Sequence, residues 1–180
     1  MAADALGCVR LAAAALLPWA LVRMSGWWAA PALFAVAAAT DFLDGIVARR
    51  GAGPTAHGAI LDNAADVAFV LAGTATGARL GLVPVAVPVA IVLAVVAYAA
   101  ASARRRGPAY SAIGHAAGVL NYAITGLIAG AVAFPGRGWS PLLAGASGVV
   151  VAANGGAVLG RALTAFSRVR VPRAAGSRLR

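Results

Sequence analysis

Six stretches of apolar sequence follow one another along the chain, each close to the roughly 20 residues needed to cross a hydrocarbon layer. They run from about Leu6 to Val22, Trp27 to Val47, Gly58 to Ala78, Leu82 to Ser102, Ser111 to Phe134 and Pro141 to Leu163. Trp19, Trp27, Trp28 and Trp139 fall near the ends of these runs, where an interfacial belt places them. Pro84 and Pro88 are expected to bend the fourth span without breaking it. The first run is read as a retained span, because no clean small-residue cleavage site follows it before Arg23. The pattern predicts an all-α fold, a polytopic membrane helix bundle of about six transmembrane helices.

Composition agrees. Hydrophobic residues make up 62% of the 180 positions and charged residues 11%, with a mean hydropathy of +0.86. One soluble core of this size cannot hide so much apolar surface, so the bilayer is the solvent. Residues 1–165 are read as one membrane-embedded domain and 166–180 as an Arg-rich cytoplasmic tail. The single cysteine, Cys8, excludes an internal disulfide and a zinc cluster. Absence of lysine excludes Schiff-base chemistry.

Charge sets the orientation. All 15 basic residues are arginine, and they sit at the ends of apolar segments rather than in a patch that would hold nucleic acid. With six spans and both termini cytoplasmic, Arg10, Arg49, Arg50, Arg104, Arg105, Arg106, Arg161, Arg168, Arg170, Arg173, Arg178 and Arg180 lie inside. Arg23, Arg79 and Arg137 lie outside, so the division is twelve against three. Small-xxx-small spacings such as Gly73/Gly77, Gly114/Gly118, Gly126/Gly130 and Gly156/Gly160 permit close helix approach, within one bundle or between protomers of an expected homodimer.

The five acids are all aspartates, and four of them occupy the 26 residues from Asp41 to Asp66. A carboxylate at mid-bilayer costs about 2.5–3.5 kcal/mol even on the lenient insertion scale, so such groups are retained where they face a cavity and bind something. Asp41 and Asp44 are three apart near the inner end of the second span; Asp62 and Asp66 are four apart near the inner end of the third. A short connection makes the two helices antiparallel neighbours, so the four carboxylates can converge at one depth. Several oxygens without sulfur or imidazole suit a hard cation, Mg²⁺ or Mn²⁺. Arg49, at a helix end beside them, is a candidate phosphate contact, and Gly45 leaves the backbone open to a bulky ligand.

Asp41, Asp44, Gly45, Ala48, Arg49, Gly58, Asp62 and Asp66 together read D-x-x-D-G-x-x-A-R-x8-G-x-x-x-D-x-x-x-D. This is similar to the signature of the CDP-alcohol phosphotransferase (CDP-alcohol phosphatidyltransferase) family, with no departure. The resemblance implies an enzyme that displaces CMP from a CDP-linked lipid donor, CDP-diacylglycerol in the usual case, with the hydroxyl of a small alcohol acceptor, in phospholipid biosynthesis. It implies two divalent ions, one held by Asp41, Asp44 and Asp62 and the other by Asp41, Asp62 and Asp66. Asp66 is implied as the base. Gly45, Ala48, Arg49, Thr55 and Gly58 are implied as the donor-binding set. Arg104, Arg105 and Arg106 could bind an acceptor phosphate or anchor the fourth helix, and the anchor reading weighs more. Membrane lipids are expected partners and nucleic acid is not. The expected location is the bacterial cell (inner) membrane, with the site facing the cytoplasm.

Other readings stay open on the residues alone. The donor could be a small CDP-alcohol and the acceptor a lipid. A divalent-cation carrier is a third reading, although every intramembrane acid lies at the inner end of its span. A silent structural relative is a fourth, and the intact signature argues against it. Glycerol 3-phosphate, inositol phosphate, serine and a phosphatidyl group are all admissible acceptors. His57 is read as a solvated loop residue and His115 as a packing residue. Asn121, Tyr122, Asn154 and Arg161 are read as interhelical hydrogen-bonding residues or cavity lining.

Overall fold

Alanine, the strongest helix former, is the commonest residue of this chain, and long helices joined by short Gly- and Pro-containing connections are the result. The computed structural model describes residues 2–23, 27–50, 56–105, 107–136 and 138–169; within these, residues 2–5, 44–50, 56–61 and 165–169 are described by their helical backbone alone. The described residues form α1 (Ala2–Arg23), α2 (Ala29–Arg50), α3 (Ala56–Arg79), α4 (Ala86–Arg105), α5 (Ala112–Ala133) and α6 (Trp139–Val169), with no strand among them.

Helix ends follow local chemistry. After α3, Gly81 adopts a left-handed conformation with φ +73. Its N–H donates to the Ala78 carbonyl at 3.1 Å, and Leu82 N–H donates to the Gly77 carbonyl at 2.9 Å, which closes the helix in a Schellman arrangement. Ser111 caps α5 from an extended conformation, its Oγ accepting from Gly114 N–H at 3.1 Å. The prolines expected to bend the fourth span do not. Pro84 precedes α4, and Pro88 lies in its first turn, where no intrahelical partner awaits its missing N–H. Pro31 and Pro141 stand likewise in the first turns of α2 and α6.

α3 packs most extensively on α1 and also meets α4 and α5; α5 packs on α2, α3 and α6; α4 pairs with α6. Phe69, Leu17, Ile91, Ile124, Ile128 and Leu143 are fully buried at these seams. Small residues set their closeness: a Cβ added to Gly73 would lie 2.5 Å from Thr125 Cγ2, and one added to Gly126 would lie 2.7 Å from the Phe34 ring. Polar side chains at the seams return their hydroxyls to the preceding helical turn, as Thr74 does to the Val70 carbonyl and Thr125 to that of Asn121. Leu16, Val92, Leu93, Val96, Val149 and Leu159 face outward, as lipid-facing positions do.

Among the described residues, four stretches are long and apolar enough to cross a membrane: Leu6–Arg23, Ala86–Arg105, Ala112–Ala133 and Trp139–Thr164. α2 adds a shorter apolar stretch, Ala29–Leu43. The chain is a polytopic helical membrane bundle. Trp19, Trp27, Trp28 and Trp139 gather at one end of it, with Trp28 edge-on to Phe134 at 4.7 Å and Trp139 Nε1 donating to the Phe134 carbonyl at 2.7 Å.

Candidate active site

Because successive helices run in opposite directions, depth can be counted from the end remote from the tryptophans. Arg10 is eight residues into α1, Asp66 ten into α3, Tyr122 ten into α5, and Asp41 nine from the close of α2. At 1.5 Å per residue these positions share a depth of about 12–15 Å. Packing then brings them together.

Arg10 is fully buried. Its Nη1 donates to Asp66 Oδ1 at 2.7 Å, and its Nη2 lies 3.8 Å from Asp41 Oδ1. Tyr122 donates its hydroxyl to the same Asp66 Oδ1 at 2.8 Å. The Tyr122 ring stacks on Phe69, centroids 5.8 Å apart, and lies against Phe34 at 6.5 Å. An aromatic wall therefore aims the phenol at the carboxylate. Two donors hold one oxygen of Asp66; Oδ2 has no hydrogen bond to a described residue. Guanidinium and phenol together fix the carboxylate while partly neutralising it, which a low-dielectric interior requires.

Asp41 and Asp66 line a cavity of about 450 Å³ whose walls come from α2 to α6 and the segment before α5. Asn63, Tyr98, Ser111, His115 and Arg161 also border it. Asn121 and Asn154 close one wall, Asn154 Nδ2 donating to Asn121 Oδ1 at 2.8 Å with a longer return bond of 3.4 Å. Pockets of this volume take small molecules.

Of the aspartates expected at the site, Asp41 and Asp66 meet through Arg10. Asp62 stands one turn before Asp66 on α3, half-buried and outside the cavity lining. Asp44, Gly45, Ala48 and Arg49 lie in the last turns of α2 and Gly58 in the first turn of α3, with side chains outside the described residues, as are Thr55 and Arg106 altogether. Arg104 and Arg105 are exposed at the end of α4 and do not line the cavity. From the sequence, Arg10 counts among the orienting charges and Tyr122 among the interhelical hydrogen-bonding or cavity-lining residues, without its partner being named. The available signal was a full charge four residues inside the first apolar run, where an ionisable group marks a site.

The sequence profile of the CDP-alcohol phosphatidyltransferase family matches residues 1–158 of the chain, a stretch that contains Arg10, all four signature aspartates and Tyr122. The chain belongs to that family. No curated relative and no solved structure matches it. Membership makes it an enzyme of the phosphotransferase kind, acting on a CDP-alcohol, and its apolar helices make it an integral membrane protein.

CDP-alcohol phosphatidyltransferases generally depend on a divalent metal. Among the described residues no three carboxylate, imidazole or thiolate groups gather as a metal set. The described pair, Asp41 and Asp66, nevertheless offers hard oxygen donors at one cavity wall, with Asp62 and Asp44 a turn away on the same two helices. That donor chemistry fits Mg²⁺ or Mn²⁺.

Proposed function

We propose that this enzyme transfers a phosphatidyl group from CDP-diacylglycerol to an alcohol acceptor at the cytoplasmic face of a bacterial cell membrane, releasing CMP during phospholipid synthesis. The observation that carries the reading is the convergence of Asp41 and Asp66 on buried Arg10 at the wall of a cavity, in a chain of this family.

Asp66 is the base. The acceptor hydroxyl loses its proton to Asp66 as its oxygen forms a bond to the lipid-bearing phosphorus. The bond from that phosphorus to the oxygen bridging it to CMP breaks, and CMP departs with the bridging oxygen. Arg10 and Tyr122 keep Oδ1 engaged, so Oδ2 is the oxygen free to take the proton. Asp41, Asp44, Asp62 and Asp66 would hold two Mg²⁺ or Mn²⁺ ions. When bound, these supply charge neutralisation for the diphosphate and the leaving oxygen. Gly45, Ala48, Arg49, Thr55 and Gly58 are the proposed donor contacts, and two copies of the chain form the working unit.

The test is release of CMP by purified protein given Mg²⁺ or Mn²⁺, labelled CDP-diacylglycerol and a panel of alcohols. Asp66→Asn is expected to lower turnover at least about hundredfold, the contribution of a positioned base, with donor binding largely retained. Wild-type protein that releases no CMP with any alcohol, yet carries Mn²⁺ across a liposome wall, would refute the reading.

A further inference from the structure

The Tyr122 phenol meets Asp66 Oδ1 at 2.8 Å, and the Phe69 and Phe34 rings set the plane of its ring. The backbone that carries the ring must be fixed as well. Side chains reach about 5–6 Å from a helix axis, so turning α5 by about 10° would move the phenol by about 1 Å, enough to lose so short a bond. Toward its start α5 faces open space on one side rather than a neighbouring helix. Gly114, His115, Gly118 and Val119 border the cavity, and nothing stands within 4 Å of a Cβ added to Gly118.

The residue before Tyr122 is held. Asn121 projects about 100° around the helix from it and is buried, as is Asn154 of α6. Asn154 Nδ2 donates to Asn121 Oδ1 at 2.8 Å and to the Val150 carbonyl of its own helix at 2.9 Å. Asn121 Nδ2 returns a longer bond of 3.4 Å to Asn154 Oδ1. Both N–H groups of Asn154 are thereby committed, so α6 fixes its amide and admits one orientation of the partner. The Asn121 carbonyl accepts from the Thr125 hydroxyl at 2.9 Å, and Thr125 packs against Gly73 of α3. Hydrogen bonds between membrane helices add little to stability, and leucines of similar size would fill the same space. What leucines lack is direction: a buried amide sets register, as one asparagine does in a coiled coil.

We propose that Asn121 and Asn154 are positioning residues for the transfer: anchored on α6, the pair fixes the rotation of α5 and so keeps the Tyr122 hydroxyl on Asp66 Oδ1, leaving Oδ2 to take the acceptor's proton. Both act through Tyr122. This rests on the activity and the role of Tyr122 proposed above.

The decisive measurement is steady-state CMP release from CDP-diacylglycerol, with the best acceptor of the alcohol panel, by wild type, Asn154→Leu, Tyr122→Phe and the variant carrying both substitutions. Asn154→Leu is expected to lower kcat about tenfold, the scale of a small misplacement beside the chemistry. KM for donor and acceptor should change less than about twofold, as when an interaction made in the transition state is lost. In the Tyr122→Phe background the same substitution is expected to change kcat less than about twofold, because the phenol it aims is gone. A purely structural role would lower kcat equally in both backgrounds. That equal loss, an unchanged kcat in Asn154→Leu, or a raised KM in place of the fall in kcat overturns the inference and leaves the transferase reading standing. Wild-type protein that releases no CMP with any alcohol instead refutes the transferase reading, and this inference with it. Should Asn154→Leu fail to fold, the paired Asn121→Leu, Asn154→Leu variant, which sets one apolar side chain against another, is carried through the same cycle and decides.

Discussion

Arg10 and Tyr122 both reach Asp66 through the same oxygen, and each does so across 56 positions of sequence. A base loses effect when its carboxylate can turn, so the two donors act by fixing one oxygen and presenting the other. Tyr122→Phe removes one hydrogen bond to a charged acceptor, worth about 1.5–3 kcal/mol. The expected outcome is a fall in kcat of about ten- to hundredfold, by the same conversion, with KM for donor and acceptor changed far less. Steady-state CMP release measures both. An unaltered kcat would mean that Arg10 holds the carboxylate alone. Arginine suits this position because its fork offers separate N–H groups to Asp66 and Asp41 from one buried charge.

Between α3 and α5, contact is set by what is missing from the side chains. Gly73 faces Thr125 and Gly77 faces Ile128, where an added Cβ would lie at 2.5 Å and 2.8 Å. Thr125 cannot readily turn aside, because its hydroxyl is bonded to the Asn121 carbonyl at 2.9 Å. Gly73→Val therefore overpacks the seam and is expected to cost about 1–3 kcal/mol, read as a lower thermal midpoint in detergent. Gly148→Ala on α6 is the matched control, since nothing stands within 4 Å of the new methyl. Its midpoint should hold or rise, as the helix propensity of alanine predicts. Equal losses in both variants would mean that glycine acts through backbone freedom and not through packing. The same reasoning separates the small-xxx-small spacings: Gly73/Gly77 and Gly126/Gly130 are occupied within the bundle, whereas Gly160 is open.

For the molecule as a whole, membrane placement and site construction are one problem. Asp41 of α2 and Asp66 of α3 line one cavity, and Arg10 of α1, which packs on both helices, supplies an internal counter-charge. Fold and metal dependence should therefore separate. Chelation with EDTA is expected to abolish CMP release while leaving helical content, measured by circular dichroism, unchanged; added Mg²⁺ or Mn²⁺ should restore turnover. Loss of helical structure on chelation would show that Arg10 does not suffice to neutralise the carboxylates.

The number of helices, their approximate limits and their apolar character were determined by the sequence, because a bilayer demands a fixed length of apolar chain and closes every backbone bond locally. The aspartate signature was equally legible, since its spacing lies within two adjacent helices. The start of α4 was not, because proline is as well placed in a first turn as in a kink. Nor were the partners of Asp66. Whether Arg10 orients the chain or enters the site depends on α1 packing against α3, a choice made by side chains far apart in sequence. Tyr122 and Arg161 acquired their places the same way, from the meeting of α5 with α3 and of α6 with α4 and α5. Local spacing records what one helix or a helix pair offers; which charges share a cavity is settled by how all six assemble.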